Sequence, residues 1–395
     1  MPAPKDDIER LLKRGTVDII HRERLEEKLR SGKKLRVKFG IDPTGSDLHL
    51  GHLVPLRKLA EFQKLGHHIL LLFGTFTGKI GDPTGKDKMR QPLTDAEIEQ
   101  NMKTYLDQAS CVLDIKNVEI VKNGDWLNIM TFSQVLELAG TFTASQMIQR
   151  DMFQNRLEKG MDINLVEFFY PLMQGYDSVA LQADVEIGGT DQLFNLLAGR
   201  QIQERYEQKP QDIITVPILE GTSGKEKMSK SLNNFIGVTE SPRDVFGKIM
   251  SLPDHLMSKY FELLTDFTHQ EIWEFLNMHP RDAKLKLAEG ITTMLHNSQD
   301  AETAKEEFLR MFSEKGLPDE ISEKMLPSGT FTILEVVIAS GICSSNGEAR
   351  RLIAQGGVKW GEEKIESIET EIEITPEPTI LRIGKRQFLK IKGRK

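Results

Sequence analysis

Residues 40–52, GIDPTGSDLHLGH, constrain the fold of this 395-residue chain more than any other stretch. An apolar-alternating run, Leu35-Arg36-Val37-Lys38-Phe39, precedes them and reads as a buried strand. A helical pattern follows, with Leu53, Val54, Leu56, Leu59, Ala60 and Leu65 on a recurring face and Gly66 as the stop. The run Ile69-Leu70-Leu71-Leu72-Phe73 is a second strand. Strand, turn, helix, strand is the first half of a nucleotide-binding α/β fold. Asp42-Pro43-Thr44-Gly45 is turn chemistry, so the helix is predicted to begin near Leu48, with His49 and His52 on one face of its first turn. Free backbone N–H groups and the helix dipole make that end an anion site. Imidazoles there can donate hydrogen bonds to a phosphate whose charge grows during reaction, without carrying a permanent charge. The plainer alternative is a helix start with two surface histidines. Their position after a strand and an Asp-Pro-Thr turn favours the first reading.

The remaining elements are less specific. Residues 6–30 read as one or two helices, 94–113 as a helix with the start signal Thr94-Asp95-Ala96-Glu97, and 118–121 as a short strand. Between the first strands and that helix lies a glycine-rich loop, residues 73–86. It is neither a Walker motif nor a GxGxxG fingerprint; its glycines let backbone approach a ligand closely. Asp82 in this loop is either a ligand carboxylate or a turn cap before Pro83. Residues 132–160 are helical and interrupt the α/β pattern, as an insertion between two halves. A helix at 164–181, a strand at 184–187, a helix at 193–206 and a strand at 213–219 complete the second half. The domains expected are therefore 1–231, a nucleotide-binding α/β unit; 232–327, helical; and 328–395, two short helices followed by strand-like runs.

Composition limits the function classes. At 39% hydrophobic and 28% charged the chain is ordinary for a globular protein with a sizeable core. Its two cysteines, Cys111 and Cys343, exclude a Cys-rich zinc site and a disulfide scaffold and fit a reducing, cytoplasmic setting. The first 15 residues are charged and do not read as a signal peptide, and no apolar run approaches the ~20 residues that span a bilayer. Net charge is −7, yet residues 379–395 hold seven Lys/Arg and no acid, a local basis for binding RNA.

The segment around His49-Leu50-Gly51-His52 resembles the HIGH signature of class I aminoacyl-tRNA synthetases, and Lys227-Met228-Ser229-Lys230-Ser231 matches their KMSKS signature at every position, in the same order along the chain. Two lysines on a flexible loop can close over a triphosphate and neutralise charge building on pyrophosphate. In Tyr170-Pro-Leu-Met-Gln174-Gly-Tyr-Asp177 a phenol, an amide and a carboxylate share one helical face among apolar neighbours: a small polar site or a partly solvated face. This segment resembles the tyrosine-binding helix of tyrosyl-tRNA synthetases, in the bacterial branch with a full KMSKS. Residues 345–359, with Arg350, Arg351 and Lys359, resemble a small RNA-binding fold first named for a ribosomal protein.

The resemblance implies a Rossmann-like parallel-sheet catalytic domain with a helical insertion, a helical domain and a small α+β RNA-binding domain. It implies L-tyrosine, ATP with Mg2+ and tRNA(Tyr) as substrates, no protein-bound metal, no membrane, and a homodimer whose interface includes the insertion. By the same resemblance, Thr44, His49, His52, Lys86, Arg90, Lys227 and Lys230 are catalytic. Gly51, Gly189, Asp191, Met228 and Lys230 bind ATP. Gly40, Asp42, Thr77, Asp82, Tyr170, Gln174, Asp177 and Gln192 bind tyrosine. Arg350, Arg351, Lys359, Arg382, Lys385 and Arg386 bind RNA. Asp177 would take the substrate hydroxyl. A tyrosine that shares this task in the other bacterial branch is replaced here by Lys38, leaving the second hydroxyl ligand open. Rival readings are a tryptophanyl relative, a small-molecule adenylyltransferase and a non-catalytic RNA-binding descendant. Asp177, the extra domains and the intact signatures argue against them in turn.

Overall fold

Alternation along Leu35–Phe39 predicts one buried face, but both faces of this strand are covered, and Lys38 is as buried as Val37. The strand lies in the centre of a sheet with helices on both sides, the usual setting of parallel strands. The computed structural model describes residues 4–84, 93–313, 321–343, 345–384 and 387–394; the expected site residues Lys86, Arg90, Lys385 and Arg386 lie outside them. The chain forms two compact units, Met1–Glu302 and Thr303–Lys395.

The first unit holds strands β1 (Ile19–Ile20), β2 (Arg36–Ile41), β3 (His68–Phe73), β4 (Val118–Lys122), β5 (Val185–Gly189) and β6 (Asp212–Val216), ordered β1-β6-β5-β2-β3-β4. Strands β2 to β6 run parallel to their neighbours, and β1 pairs antiparallel with β6. Ile19 and Ile20, expected in a helix, instead extend the sheet edge between the helices Lys5–Lys13 and Arg22–Arg30; β-branched pairs suit a pleated surface. The chain builds outward from β2 through β3 to β4, then returns to build the other side from β5 to β6. Its direction thus reverses between β2 and β5, and a crevice opens at their carboxyl ends. The segment between β4 and β5 contains the inserted helices Phe132–Ala139, Ala144–Ile148 and Asp151–Glu158, then Leu165–Ala180.

After β6 come the helices Pro242–Met250, Met257–Leu264, His269–Leu276 and Pro280–Leu295. The buried Arg14 guanidinium donates to the carbonyls of Glu262, Thr265 and Phe267, satisfying the carboxyl end of the second of these helices and the turn after it.

The second unit carries β7 (Glu323–Pro327), β8 (Gly329–Thr332), β9 (Val358–Trp360), β10 (Glu363–Ile365), β11 (Glu371–Ile374), β12 (Thr379–Ile383) and β13 (Gln387–Arg394). They form a sheet ordered β10-β9-β12-β13-β7 and the pair β11-β8. Helices Ile333–Ser340 and Asn346–Ala354 share its apolar core with Val358, Leu381, Ile383 and Ile391. Residues 323–327, expected in the helical stretch, pair as β7 with β13 across distant sequence, so local periodicity carries no signal for them. The sheet therefore begins before residue 328.

Candidate active site

The crevice at the carboxyl ends of β2 and β5 is a cavity of about 330 Å³. Gly40, Asp42, Thr44, His49, Gly51 and His52 line it from β2 and the turn beyond, and Thr77 and Asp82 from the glycine-rich loop. Tyr170, Gln174 and Asp177 line it from the helix Leu165–Ala180, Gly189, Asp191 and Gln192 from the end of β5, and Lys227 and Met228 from the loop after β6. Lys230 is not part of the lining; its Nζ reaches Asp47 at 3.2 Å. The RNA-binding expectations Arg350, Arg351, Lys359 and Arg382 lie in the second unit.

The helix after β2 spans Leu50–Lys64, two residues later than expected, so His49 is its N-cap, with extended backbone. The His49 backbone N–H donates to His52 Nδ1 at 3.1 Å, and the two rings lie in contact, centroids 3.8 Å apart and tilted by 37°. A Cβ on Gly51 would lie 3.0 Å from the His49 ring, which is why a glycine stands between the histidines. Burial, then the neighbouring charge of Lys230, holds His52 down to about 4; burial, then His52 and Lys230, holds His49 down to about 2. Both rings are thus neutral near pH 7. His49 Nδ1 is buried and lacks a hydrogen-bond partner among the described residues.

Two backbone hydrogen bonds join this helix start to the strand-like segment after the lysine loop: Leu50 N–H to the Ile236 carbonyl and Val238 N–H to the Leu48 carbonyl, both 3.0 Å. Asn234 shapes the lysine loop itself, accepting from Ser229 N–H at 2.8 Å and donating to the Lys227 carbonyl at 3.1 Å. The Lys227 side chain is 48% exposed, with its Nζ 3.9 Å from Asp191.

At the opposite end the phenol and the carboxylates are hydrogen-bonded. Tyr170 donates its hydroxyl to Asp42 at 2.8 Å, and Thr77 donates to the other oxygen of the same carboxylate at 2.8 Å. Burial and then Asp42 raise the Tyr170 phenol well above its usual value, so it stays protonated and a donor. Gly74 admits this arrangement, because a Cβ there would overlap Asp42 Oδ1. Asp82 caps the turn, Oδ1 accepting from Thr84 N–H at 2.9 Å, and it also lines the cavity, where Oδ2 accepts from Gln192 at 2.7 Å.

Asp177 is 1% exposed, yet it is not a bare carboxylate awaiting a substrate donor. Trp126 Nε1 donates to it at 2.8 Å and Asn123 Nδ2 at 3.3 Å. Neither donor was anticipated, although the rule that parallel sheets place ligands at strand carboxyl ends points to the residues just after β4. Burial raises Asp177 to about 7, against the lowering effects of Lys38, Trp126 and Asn123.

Residues 30–313 match the family model described as tRNA synthetases class I (W and Y). A tyrosine–tRNA ligase of Carboxydothermus hydrogenoformans is 47% identical over 406 residues, covering 98% of this chain and 99% of the relative. One of Thermotoga maritima is 47% identical over 397 residues, covering 99% and 98%. Among solved structures, the C-terminally truncated mitochondrial tyrosyl-tRNA synthetase of Aspergillus nidulans has a TM-score of 0.65 at 24% identity, over 78% of this chain and 95% of that one. The Archaeoglobus fulgidus tyrosyl-tRNA synthetase complexed with L-tyrosine has 0.61 at 21%, over 76% and 99%. The two structural likenesses bear on the fold.

Proposed function

The chain belongs to the class I tRNA synthetases of the tryptophan and tyrosine group, and we infer from that membership and from the cavity that it attaches L-tyrosine to tRNA. A tyrosine carboxylate attacks the α-phosphorus of ATP, pyrophosphate leaves, and the tyrosyl group then passes from the adenylate to the terminal ribose of tRNA(Tyr). No protein nucleophile is needed, so catalysis is positioning and electrostatics. The observation that carries this reading is one cavity with two neutral histidines and a signature lysine on one side and a buried aspartate on the other. Pyrophosphate exchange tested with each amino acid should select tyrosine; preference for tryptophan would overturn the substrate assignment.

The residue roles are our proposal. ATP enters as its Mg2+ complex, the metal belonging to the substrate. His49 and His52 donate to the phosphates, and Lys227 and Lys230 leave their carboxylates to meet the charge that develops on pyrophosphate. Arg90, Lys86 and Thr44 assist them. Gly51, Gly189, Asp191 and Met228 hold the adenosine. The substrate ammonium rests among Asp82, Tyr170, Gln174 and Gln192, with Gly40, Asp42 and Thr77 shaping that wall. Asp177 accepts from the substrate hydroxyl.

The second unit binds the tRNA. Arg350 and Arg351 are exposed in the second half of the helix Asn346–Ala354. Lys359 pairs with Arg382 on one side and Lys364 on the other, a cross-strand row of like charge. Such a row is unfavourable by itself and gains from a phosphate backbone. Lys385 and Arg386, which lie outside the described residues, are proposed to bind RNA from their charge in the sequence alone. A homodimer accounts for the apolar side chains exposed in and around the insertion, Ile129 (78%), Phe132 (76%), Leu136 and Leu165. The reaction belongs in the cytoplasm, where its tRNA is; among the described residues no helix is long and apolar enough to cross a membrane.

A further inference from the structure

Lys38 stands on β2 directly across from Glu186 on β5, at the point where the sheet reverses direction. Its side chain is fully buried under the helix that carries Tyr170, Gln174 and Asp177. The ammonium has three acceptors: Glu186 at 2.9 Å, the Ser178 hydroxyl at 2.7 Å and the Gln174 main-chain carbonyl at 3.3 Å. That matches the three donors of a lysine ammonium. The Ser178 hydroxyl in turn donates to the second Glu186 oxygen, to which Gln211 also donates. The network touches the backbone at Gln174 and the residue next to Asp177, and both Lys38 and Glu186 line the cavity.

A buried ion pair is a poor stabiliser, since an apolar pair of like volume does as well. Its position suggests another use. We propose that Lys38 is a positioning residue for tyrosine selection: it fixes the helical turn bearing Gln174 and Asp177, and its charge keeps the Asp177 carboxylate an acceptor for the substrate hydroxyl. This rests on the reading that Asp177 receives that hydroxyl. The charged and titratable groups facing Asp177 are Lys38 from β2, Glu186 from β5 and Tyr170 from its own helix, with the neutral donors Trp126 and Asn123 beyond β4. Lys38 lowers and Glu186 raises the pH at which Asp177 ionises, so removing either should move it in opposite directions.

The test is the pH dependence of the tyrosine KM in pyrophosphate exchange, with the tyrosine/phenylalanine ratio read alongside. Wild type should show KM falling as pH rises through the Asp177 ionisation. In Lys38→Met the midpoint should rise by roughly one pH unit, tyrosine KM near neutral pH should rise about fivefold, and the ATP KM should stay unchanged. Glu186→Gln should move the midpoint down, and Lys38→Met combined with Glu186→Gln should return it close to wild type. If Lys38→Met does not fold, the downward shift in Glu186→Gln and its reversal in the double variant decide the matter. Midpoints unmoved in the folded variants would make the pair merely structural and overturn the proposal. A wild-type KM with no such midpoint would instead overturn the hydroxyl role of Asp177 itself.

Discussion

The two ends of the cavity are built on opposite principles. At the end proposed for tyrosine the phenol and the carboxylates have partners: Tyr170 with Asp42, Asp82 with Gln192, and Asp177 with Trp126 and Asn123. At the phosphate end His49 Nδ1 is unsatisfied, Lys227 stands 3.9 Å from Asp191, and Lys230 is paired across a largely solvated 3.2 Å contact. Exposed pairs of this kind contribute little, about 0–1 kcal/mol. On the proposed roles, the selective end is preorganised and the reactive end is left for the ligand to complete. An enzyme built so discriminates before it reacts, and it reserves its strongest new interactions for the charge that appears only during reaction.

The most forceful way to break that contrast is at the lysines. Lys227→Ala with Lys230→Ala should lower the exchange rate by on the order of a thousandfold or more while tyrosine KM changes little. An equally large rise in tyrosine KM would mean the ends are not separate. His52→Ala should lower the rate about a hundredfold, the loss of one preorganised donor. It should do so without a new acid limb, because the neutral rings of wild type do not titrate near pH 7. Weaker ATP binding at an unchanged rate would contradict the role given to His52. Asp177→Asn keeps the shape of the tyrosine end and removes its charge. We expect tyrosine KM to rise by roughly tenfold, in keeping with the 1.5–3 kcal/mol of a charged hydrogen bond, and the tyrosine/phenylalanine ratio to narrow. Fluorescence titration and exchange kinetics would each detect this. The smallest effect lies outside the cavity: Arg350→Ala with Arg351→Ala should leave exchange intact, weaken tRNA charging a few-fold at low tRNA, and flatten its salt dependence. Charging that is indifferent to these arginines would move the RNA surface elsewhere.

The histidines also predict a stability profile. Their folded pKa values lie below the ordinary value of 6.5, so protons bind the unfolded chain first as pH falls below that value. The stability held at neutral pH should decline from about pH 6.5 downward toward 4. Melting curves of wild type against His49→Asn with His52→Asn should differ in slope across that window.

Legibility followed locality. The strand–turn–helix unit, the signatures and the face of Tyr170, Gln174 and Asp177 could be read because periodicity and spacing are local properties. What escaped depended on distant partners. Ile19 and Ile20 became a strand because β6 lies beside them, and residues 323–327 did because β13 does. Lys38, on the polar side of an alternating run, gives no hint from its neighbours that Glu186 will face it. Asn123 and Trp126 carry no motif; only the sheet order brings them to Asp177.

The paired hydrogen bonds between Leu48–Leu50 and Ile236–Val238 have a consequence for synthesis. A chain emerging from the ribosome can pair β2 with β3 early, because those strands are close in sequence. The histidine end of the cavity cannot close until residue 238 has left the exit tunnel, and the Arg14 contacts must wait for Phe267. A nascent or prematurely released fragment therefore carries the first signature without its clasp, and no truncated product can activate an amino acid before the length of the chain that completes the site has been made.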